Sequence, residues 1–276
     1  MLRKAKNLVS SLLTLGPGHA QNFLGATWVP WLLSHTPERR RRAVALRLLS
    51  LSPHYFRAGA HWPSGERLEH EADRNERSRR QIVHDVLRRY LKPDDVVLDY
   101  GCGAGFMAQA VSLHVRKVVA CDISQGALAC ACVLNSAPNV TYVNMSDPAW
   151  THEWQGRIDL AYSFAVAQHL TDSVLAGALR IICALLRPGG LVLVHVVINA
   201  SEWRTESDWI NDSSLQGRLR LKYALHCFSR SPLQVLGLMR NAGFLEPELI
   251  PLAELTTVDD DIRKQHLVIS RCVDND

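Results

Sequence analysis

A short apolar segment that runs directly into three glycines decides the fold: VVLDYGCGAG at residues 96–105. Val96–Tyr100 has the length and the apolar content of a buried β-strand. The glycines that follow allow a sharp backbone turn and a close approach by a ligand, because glycine has no Cβ. A helical pattern comes next. The segment therefore predicts a strand, a ligand-binding turn and a helix in succession.

The alternation of strand and helix continues toward the C-terminus. Further apolar strands are predicted at residues 117–121, 140–144, 158–164, 191–197, 245–252 and 265–270. Helices are predicted before, between and after them, at about 69–91, 172–186 and 232–241 among others. Such alternation is typical of a parallel sheet that is buried on both faces. The sequence thus predicts a doubly wound α/β fold.

The chain divides into a helical N-terminal extension, residues 1–68, and a larger domain, residues 69–276. Within that domain, residues 198–230 interrupt the rhythm of strands and helices and form an insert rich in aromatic side chains. The extension contains a run of four arginines, Arg39–Arg42. We interpret this run as a solvated helix face in preference to a phosphate- or glycan-binding patch.

The first residues of the extension are basic and amphipathic, and no acid occurs before Glu38. Three interpretations stay open for residues 1–15. They form a helix that packs on its own domain, a helix that rests on an anionic membrane surface, or a targeting segment. Peripheral membrane contact is therefore one of the expectations.

Composition excludes several classes of protein. The 276 residues carry a formal net charge of +4, too small to indicate a nucleic-acid partner. The seven cysteines include no C-x-x-C pair, so no metal site or redox motif is predicted, and we expect a reduced, cytoplasmic compartment. No apolar run approaches the ~20 residues that span a bilayer.

The residues around the glycine loop narrow the choice of ligand. A dinucleotide-binding loop would carry its third glycine where Phe106 stands, and no Gly-Lys-Ser/Thr follows, as a phosphate-binding loop would require. Asp99 lies two residues before the first glycine. Its carboxylate would repel a pyrophosphate but attract a cationic or hydroxyl-bearing ligand.

A second acid, Asp122, ends the next predicted strand, 23 residues after Asp99. In a doubly wound fold, a carboxylate at that place accepts hydrogen bonds from the ribose hydroxyls of an adenine nucleoside. The predicted ligand therefore has a ribose, no phosphate and a positive charge. S-adenosylmethionine has all three properties.

Four motifs together resemble the class I S-adenosylmethionine-dependent methyltransferases, particularly their small-molecule branch. They are Val96–Gly105, Asp122–Ser124, Asp159–Leu170 and Leu186–Gly190. The resemblance covers residues 80–200 well and the C-terminal strands loosely. It implies a Rossmann-like, doubly wound sheet of seven mostly parallel strands, the last of them antiparallel, with S-adenosylmethionine as cofactor.

The resemblance also implies roles for residues that follow the strands. Gly101 and Gly103 would pass under the methionine part of the cofactor, and Asp122 would hold the ribose. Ile123 and Met145 would contact the adenine, and Ser146 or Asp147 would lie near its amino group. Ser163 and Phe164 would line the methionine side. Two departures from the family pattern occur: the acid after the third strand is delayed to Asp147, and Gln168 replaces the first of a common histidine pair.

Methyl transfer from a sulfonium is a direct displacement that depends on alignment of the reacting atoms. A hydroxyl acceptor benefits from a general base, and histidine suits this role near neutral pH. The candidates are His169, which we prefer, and His195. The expected acceptor is a small molecule or a glycan, held by aromatic side chains at positions 62, 203, 209 and 223 or by others in the insert.

Two other classes stay open. A nucleic-acid or protein methyltransferase is less favoured, because Ser163–Val166 stands where such enzymes carry an Asn/Asp-Pro-Pro-aromatic loop. A non-catalytic scaffold that retains the fold is disfavoured by the intact acids and glycines.

Overall fold

The structure is a computed structural model that describes residues 25–50, 65–215, 217–218, 227–258 and 265–273. The amphipathic segment at residues 1–15 and the aromatic candidates Trp62 and Tyr223 lie outside these ranges.

The helices of the described residues alternate with strands as the sequence predicts. The helices are α1 (Gly25–His35), α2 (Glu38–Ser50), α3 (Gly65–Ile82), α4 (Phe106–Ser112), α5 (Gln125–Leu134), α6 (Ala149–Trp154), α7 (Asp172–Leu185), α8 (Glu206–Ile210) and α9 (Pro232–Asn241). The strands are β1 (Val96–Tyr100), β2 (Lys117–Asp122), β3 (Val140–Asn144), β4 (Ile158–Ser163), β5 (Leu186–Val197), β6 (Phe244–Pro251) and β7 (Gln265–Cys272).

The strands form one seven-stranded sheet in the order β3-β2-β1-β4-β5-β7-β6. All neighbours are parallel except at β7, which runs antiparallel to both β5 and β6. The predicted α/β, doubly wound, mostly parallel sheet is therefore confirmed. The strand order reverses between β1 and β4, so the loops that follow these strands diverge. A ligand cleft is expected there, at the carboxyl edge of the sheet.

Apolar side chains cover both faces of the sheet. Leu98 of β1 packs on one face with residues of α6, α7 and α9, such as Trp150, Leu179 and Met239. The adjacent Val97 packs on the other face with residues of α4 and of the segment after α3. Successive side chains of a strand point to opposite faces, so burial on both faces requires the unbroken apolar run that β1 shows.

Helices α1 and α2 pack on α5. Val29 and Leu33 of α1 and Leu46 and Leu49 of α2 share a buried cluster with Leu134 and other residues of α5. Ala104 of the glycine loop and the partly buried Phe106 belong to the same cluster. The N-terminal helices therefore pack beside the glycine loop. No helix among the residues described is both long and apolar enough to cross a bilayer.

Two elements differ from the sequence prediction. The helix predicted over 69–91 is already formed at Gly65, where the described segment begins, and changes to a π-helical turn at Val83–Leu87. The strand predicted at 191–197 begins earlier, at Leu186 of β5: Ile158 of β4 pairs with Leu186, but Leu160 pairs with Leu191. The extra residues of β5, 187–190, form a bulge. The strand stays continuous there, although its pairing with β4 is irregular.

A disulfide that the sequence does not predict joins Cys183 of α7 to Cys272 of β7, with the two Cα atoms 5.7 Å apart. The two cysteines are 89 residues apart in the chain. Sequence spacing gives no information about such a pair, because the fold alone brings the helix against the strand.

Candidate active site

The glycine loop has a backbone that requires glycine. Gly101, Gly103 and Gly105 have φ angles of +80°, +54° and +79°, all in the left-handed region. The backbone N–H groups of Gly101 and Cys102 both donate to the carbonyl oxygen of Cys121, at 2.8 and 2.9 Å. A Cβ at Gly101 would lie 2.4 Å from Cγ2 of Val166. The loop is thus anchored to β2 and packed closely against the segment after β4.

The far side of the loop is held by β3 and by the end of α5. A Cβ at Gly105 would lie 2.2 Å from the hydroxyl oxygen of Tyr142. That hydroxyl donates to the carbonyl of Asn135 at 2.7 Å, and Nδ2 of Asn135 donates to the carbonyl of Ala104 at 2.6 Å. These contacts fix the loop conformation from the side opposite the cleft.

Asp122 lies at the end of β2 and contacts the glycine loop directly. Its Oδ2 accepts the N–H of Gly103 at 2.8 Å, and its Oδ1 accepts the N–H of Ser124 at 2.8 Å. Burial raises the pKa of Asp122, and these two backbone donors oppose the rise. Each carboxylate oxygen has more than one acceptor position, so two ribose hydroxyls can still bind.

Asp99 is buried at the carboxyl end of β1. Burial raises its pKa to about 7; the facing Tyr162 hydroxyl lowers it and the Asp122 charge raises it. Even so, neither Oδ2 of Asp99 nor the Tyr162 hydroxyl has a partner at hydrogen-bonding geometry in the described part of the chain. An unpartnered buried carboxylate oxygen is costly. A ligand ammonium group would remove that cost, which fits the amino acid end of S-adenosylmethionine.

The candidates for adenine contacts follow β2 and β3. Ile123 is 38% exposed, and the half-buried Met145 donates its backbone N–H to the carbonyl of Asp122 at 3.0 Å. Ser146 and Asp147 are exposed. Oδ1 of Asp147 accepts the N–H of Ala149 at the start of α6, at 2.9 Å. These side chains stand at the same edge of the sheet as Asp122, and their contacts with adenine stay predictions.

Ser163 and Phe164 follow β4, the strand beside β1. The Ser163 hydroxyl donates to the carbonyl of Tyr100 at 2.9 Å, so it links the two strands directly before the glycine loop. The Phe164 ring stacks on the His195 ring, with centroids 5.5 Å apart and an angle of 15° between the planes. Phe164 therefore forms an apolar wall at the carboxyl edge.

His195 is buried in β5, and both of its ring nitrogens are engaged. Nδ1 accepts the backbone N–H of Ala165 at 3.2 Å, and Nε2 lies 2.9 Å from Oε1 of Gln265. A backbone N–H can only donate, so Nδ1 is the acceptor and Nε2 carries the hydrogen. Burial lowers the pKa of His195 to about 4, against the opposing effect of the Gln265 bond. His195 is thus a neutral side chain that holds Ala165, whose φ is +60°.

His169 lies in a short 3₁₀ turn, Ala167–His169, that follows β4. Its side chain is half-buried, and its Nδ1 lies 3.7 Å from Sγ of Cys227. The turn and the glycine loop both lie at the switch point of the sheet. The structure therefore places His169 at the same edge as the cofactor candidates.

The aromatic insert is packed partly against itself. Trp209 is buried and donates from Nε1 to the carbonyl of Cys227 at 3.3 Å, while the Arg204 guanidinium lies 4.6 Å from its ring centroid. Trp203 is half-buried. Of the two insert tryptophans named as acceptor contacts, Trp209 thus also stabilises the insert.

Sequence reasoning missed Arg79 of α3, which lies close enough to Asp99 and His195 to lower the pKa of both. A helix that precedes a central strand runs from the carboxyl edge of the sheet back to the amino edge, where the strand begins. Its earlier residues therefore face the cleft. That topological signal was present in the sequence. The sequence contains no comparable signal for Tyr142 and Asn135.

Metal binding has no candidate here: within the described ranges no three His, Cys, Asp or Glu side chains are grouped as ligands.

Comparison with known proteins gives one family and several relatives. The family model described as a methyltransferase domain matches residues 70–245. A ubiquinone biosynthesis O-methyltransferase of Azotobacter vinelandii is 31% identical over 103 residues, which are 37% of this chain and 44% of the relative. The corresponding protein of Pseudomonas aeruginosa is 28% identical over the same length. The chain thus spans less than half the length of these curated relatives.

Solved structures share the fold. A chain of the Haloferax volcanii complex that contains the Trm112 methyltransferase activator aligns with a TM-score of 0.53 at 15% identity, covering 74% of this chain and 94% of that one. A Bordetella parapertussis structure, described as a possible exported protein, aligns with a TM-score of 0.50 at 18% identity over 99% of this chain and 87% of its own. Because the family model covers more than half of the sequence, the chain belongs to the methyltransferase-domain family, with the class I fold that binds S-adenosylmethionine.

Proposed function

We propose that the protein transfers a methyl group from S-adenosylmethionine to a hydroxyl group of a small, aromatic molecule. The observation that carries this proposal is the unpartnered Oδ2 of buried Asp99 beside a left-handed glycine loop that Asp122 holds. When bound, the cofactor supplies an electrophilic methyl group on a positively charged sulfur. The chain's own residues bind it, orient the acceptor and accept the proton.

Each end of the cofactor has a matching group in the site. Asp99 accepts the ammonium hydrogens, and Arg79 of α3 supplies a positive charge for the carboxylate at the same end. Asp122 accepts the ribose hydroxyls. Gly101 and Gly103 let the backbone pass under the methionine part. The adenine is held by Ile123 and Met145, with Ser146 or Asp147 at its amino group, and Ser163 and Phe164 line the methionine side.

A hydroxyl acceptor is supported by the named chemistry of the relatives, which are O-methyltransferases. The site adds the partly buried Phe164 ring, which stacks on the buried His195 ring and provides an apolar surface near the switch point. Such a surface suits an aromatic alcohol, which can stack on it, and the apolar face of a sugar ring can stack on it as well. Phenols also need less help from a base than aliphatic alcohols, since the phenolic pKa is about 10.

His169 is the proposed general base. Of the two candidate histidines, His195 uses Nδ1 to accept the Ala165 N–H and has a pKa of about 4, properties that support a positioning role. His169 lies in the turn after β4 with a half-buried ring. It can take the proton from the hydroxyl oxygen as that oxygen attacks the methyl carbon.

Membrane contact through residues 1–15 stays a prediction from the sequence. A cytoplasmic location also stays a prediction, and the Cys183–Cys272 disulfide, which a reducing compartment disfavours, counts against it. The neighbouring helices support contact with an anionic surface, since Trp31 of α1 is 60% exposed and Arg39 and Arg40 of α2 are exposed. Co-sedimentation with vesicles that contain anionic lipid, compared with neutral vesicles, tests this expectation.

The test of the enzymatic proposal uses a methyl donor with a labelled methyl group and a panel of catechols, phenols and sugars, with mass spectrometry of the products. We expect methylated catechol or phenol, and a loss of turnover of about a hundredfold or more in H169A at neutral pH. Cofactor affinity should stay within about twofold of wild type.

The matched control is H84A, because His84 is 84% exposed in the π-helical turn at the opposite edge of the sheet. Methylated sugar in place of phenol would overturn the acceptor class. Turnover in H169A equal to that in H84A would overturn the assignment of the base.

A further inference from the structure

We propose that Arg230 is a positioning residue whose guanidinium fixes the His169 turn, residues 167–170, so that the insert and the base are coupled. The segment that carries Arg230, residues 227–230 at the end of the insert, is called the strap below. The role in catalysis rests on the proposed function, in which His169 is the base. The coupling itself is a statement about contacts and can be tested without turnover.

The strap supplies the hydrogen-bond donors for the His169 turn. Nη1 of Arg230 donates to the carbonyl of Ala167 at 2.8 Å, and Nη2 donates to the carbonyl of Leu170. The backbone N–H of Phe228 donates to the carbonyl of Gln168 at 2.8 Å. Three carbonyls of a four-residue turn are therefore bound by one short segment that lies about sixty residues later in the chain.

The guanidinium is held in one place by burial and by a counter-ion. The Arg230 side chain is only 4% exposed, and its Nε donates to Oδ1 of Asp172 at 2.7 Å. Removing one partner of a buried ion pair leaves an uncompensated charge and is strongly destabilising, so this group stays paired. Its planar fork reaches three acceptors at once, which the single ammonium of lysine cannot do with the same geometry.

The strap also connects to the start of the insert. The N–H of Asn199, which follows β5, donates to the carbonyl of Arg230 at 3.0 Å. Oε2 of Glu206 in α8 accepts the N–H of Asp172 at 2.6 Å. Both ends of the insert thus converge on Asp172 and the His169 turn.

The contact reaches the imidazole itself, since Sγ of Cys227 in the strap lies 3.7 Å from Nδ1 of His169. A displacement of the insert would therefore move the ring as well as its backbone. An acceptor molecule that holds the insert in position therefore also holds the His169 ring in position. The insert thus takes part in substrate selection.

The experiment follows the imidazole resonances of His169 in protein labelled at histidine and saturated with S-adenosylhomocysteine. The H169Q variant assigns the signal. We expect R230K to shift the His169 signal by more than its linewidth and to broaden it, because a lysine leaves part of the turn without donors. Turnover of catechol should fall about a hundredfold, as expected for a reacting group displaced by about 1 Å.

The matched control is R218K, since Arg218 also belongs to the insert but is exposed. It should leave the His169 signal in place. An unchanged His169 signal in folded R230K would overturn the proposal, even if R230K melts at a lower temperature.

Should R230K fail to fold, D172A decides, because it removes both the counter-ion and the acceptor of Arg230 Nε at a half-exposed position. The His169 signal is expected to move in D172A, and its absence of movement would overturn the proposal. A different result would refute the proposed function alone. In that case H169A would turn over substrate like wild type, while the His169 signal would still move in R230K.

Discussion

The Asp99 carboxyl is the residue whose surroundings a cationic ligand would change most directly. It is buried beside the glycine loop, its Oδ2 has no hydrogen-bond partner among the described residues, and its pKa is about 7. A bound ammonium stabilises the charged form and lowers that pKa. Binding of the cofactor should therefore release a proton when the pH lies between the lowered pKa of the complex and about 7.

The sign of the pH dependence follows. The affinity for S-adenosylhomocysteine should rise as the pH increases from about 5.5 to 7, by up to about tenfold per pH unit, and level off above 7. Calorimetry in buffers of different ionisation enthalpy measures the released proton. The D99N variant, which cannot ionise, should lose this dependence; an equal slope in D99N would show that another group titrates.

Gly101 is a second residue for which the structure predicts the effect of a substitution. G101A places a Cβ 2.4 Å from Cγ2 of Val166 on a backbone with φ of +80°, so we expect a loss of about 1–3 kcal/mol in unfolding free energy, together with weaker cofactor binding. The matched control is G177A in α7, where a Cβ meets nothing within 4 Å. That variant should be stabilised by about 0.5–1 kcal/mol. Equal melting temperatures for the two variants would contradict this account.

At the scale of single residues, the sequence predicts the acids and the glycines of the site but not the side chains that hold them in place. Asp99, Asp122 and Gly101 can be found because a ligand with a ribose and a positive charge demands these groups at the ends of adjacent strands. Tyr142 and Asn135 reach the glycine loop only through the folded arrangement of β3 and the end of α5. Their roles depend on distances between segments that a single sequence does not contain.

Among the elements, α7 and β7 are linked by the Cys183–Cys272 disulfide, which encloses 89 residues of chain. A closed loop of that length restricts the unfolded chain, and its reduction should lower the unfolding free energy by up to about 4–5 kcal/mol. Denaturant titrations of wild type and C183S measure this. The exposed, unpaired Cys132 provides the control, since C132S should match wild type.

Alkylation of the unfolded, unreduced protein gives an independent measurement. Five of the seven cysteines are free in the structure, so five should be modified without reductant and seven with it. Modification of all seven in both samples would contradict the pairing.

Element types are easier to predict here than element boundaries. Apolar strands such as Val96–Tyr100 are recognised because burial on both faces demands an unbroken apolar run. The bulge in β5 contains Pro188 and Gly189, which are typical of turns, and only the pairing with β4 on either side of them shows that they belong to the strand. The π-helical turn at Val83–Leu87 likewise reflects packing against the sheet rather than helix propensity.

At the scale of the whole molecule, the doubly wound order brings the site together. The strand order reverses between β1 and β4, and the glycine loop, Asp122, Phe164 and the His169 turn all follow strands at that edge. The N-terminal helices pack beside the loop, and the end of the insert binds the His169 turn. The insert's role was not predictable, because Arg230 and Ala167 are 63 residues apart and meet only in the folded chain.

The most direct measurement of the central claim is calorimetric titration of the protein with S-adenosylhomocysteine, for wild type, D122A and D94A. Wild type should bind one equivalent, and D122A should bind about 10- to 100-fold more weakly, as expected when hydrogen bonds to a charged group are lost. D94A removes an exposed acid just before β1, at the opposite edge of the sheet, and should bind like wild type. No binding by the wild type, or equal affinity in D122A and D94A, would contradict the account.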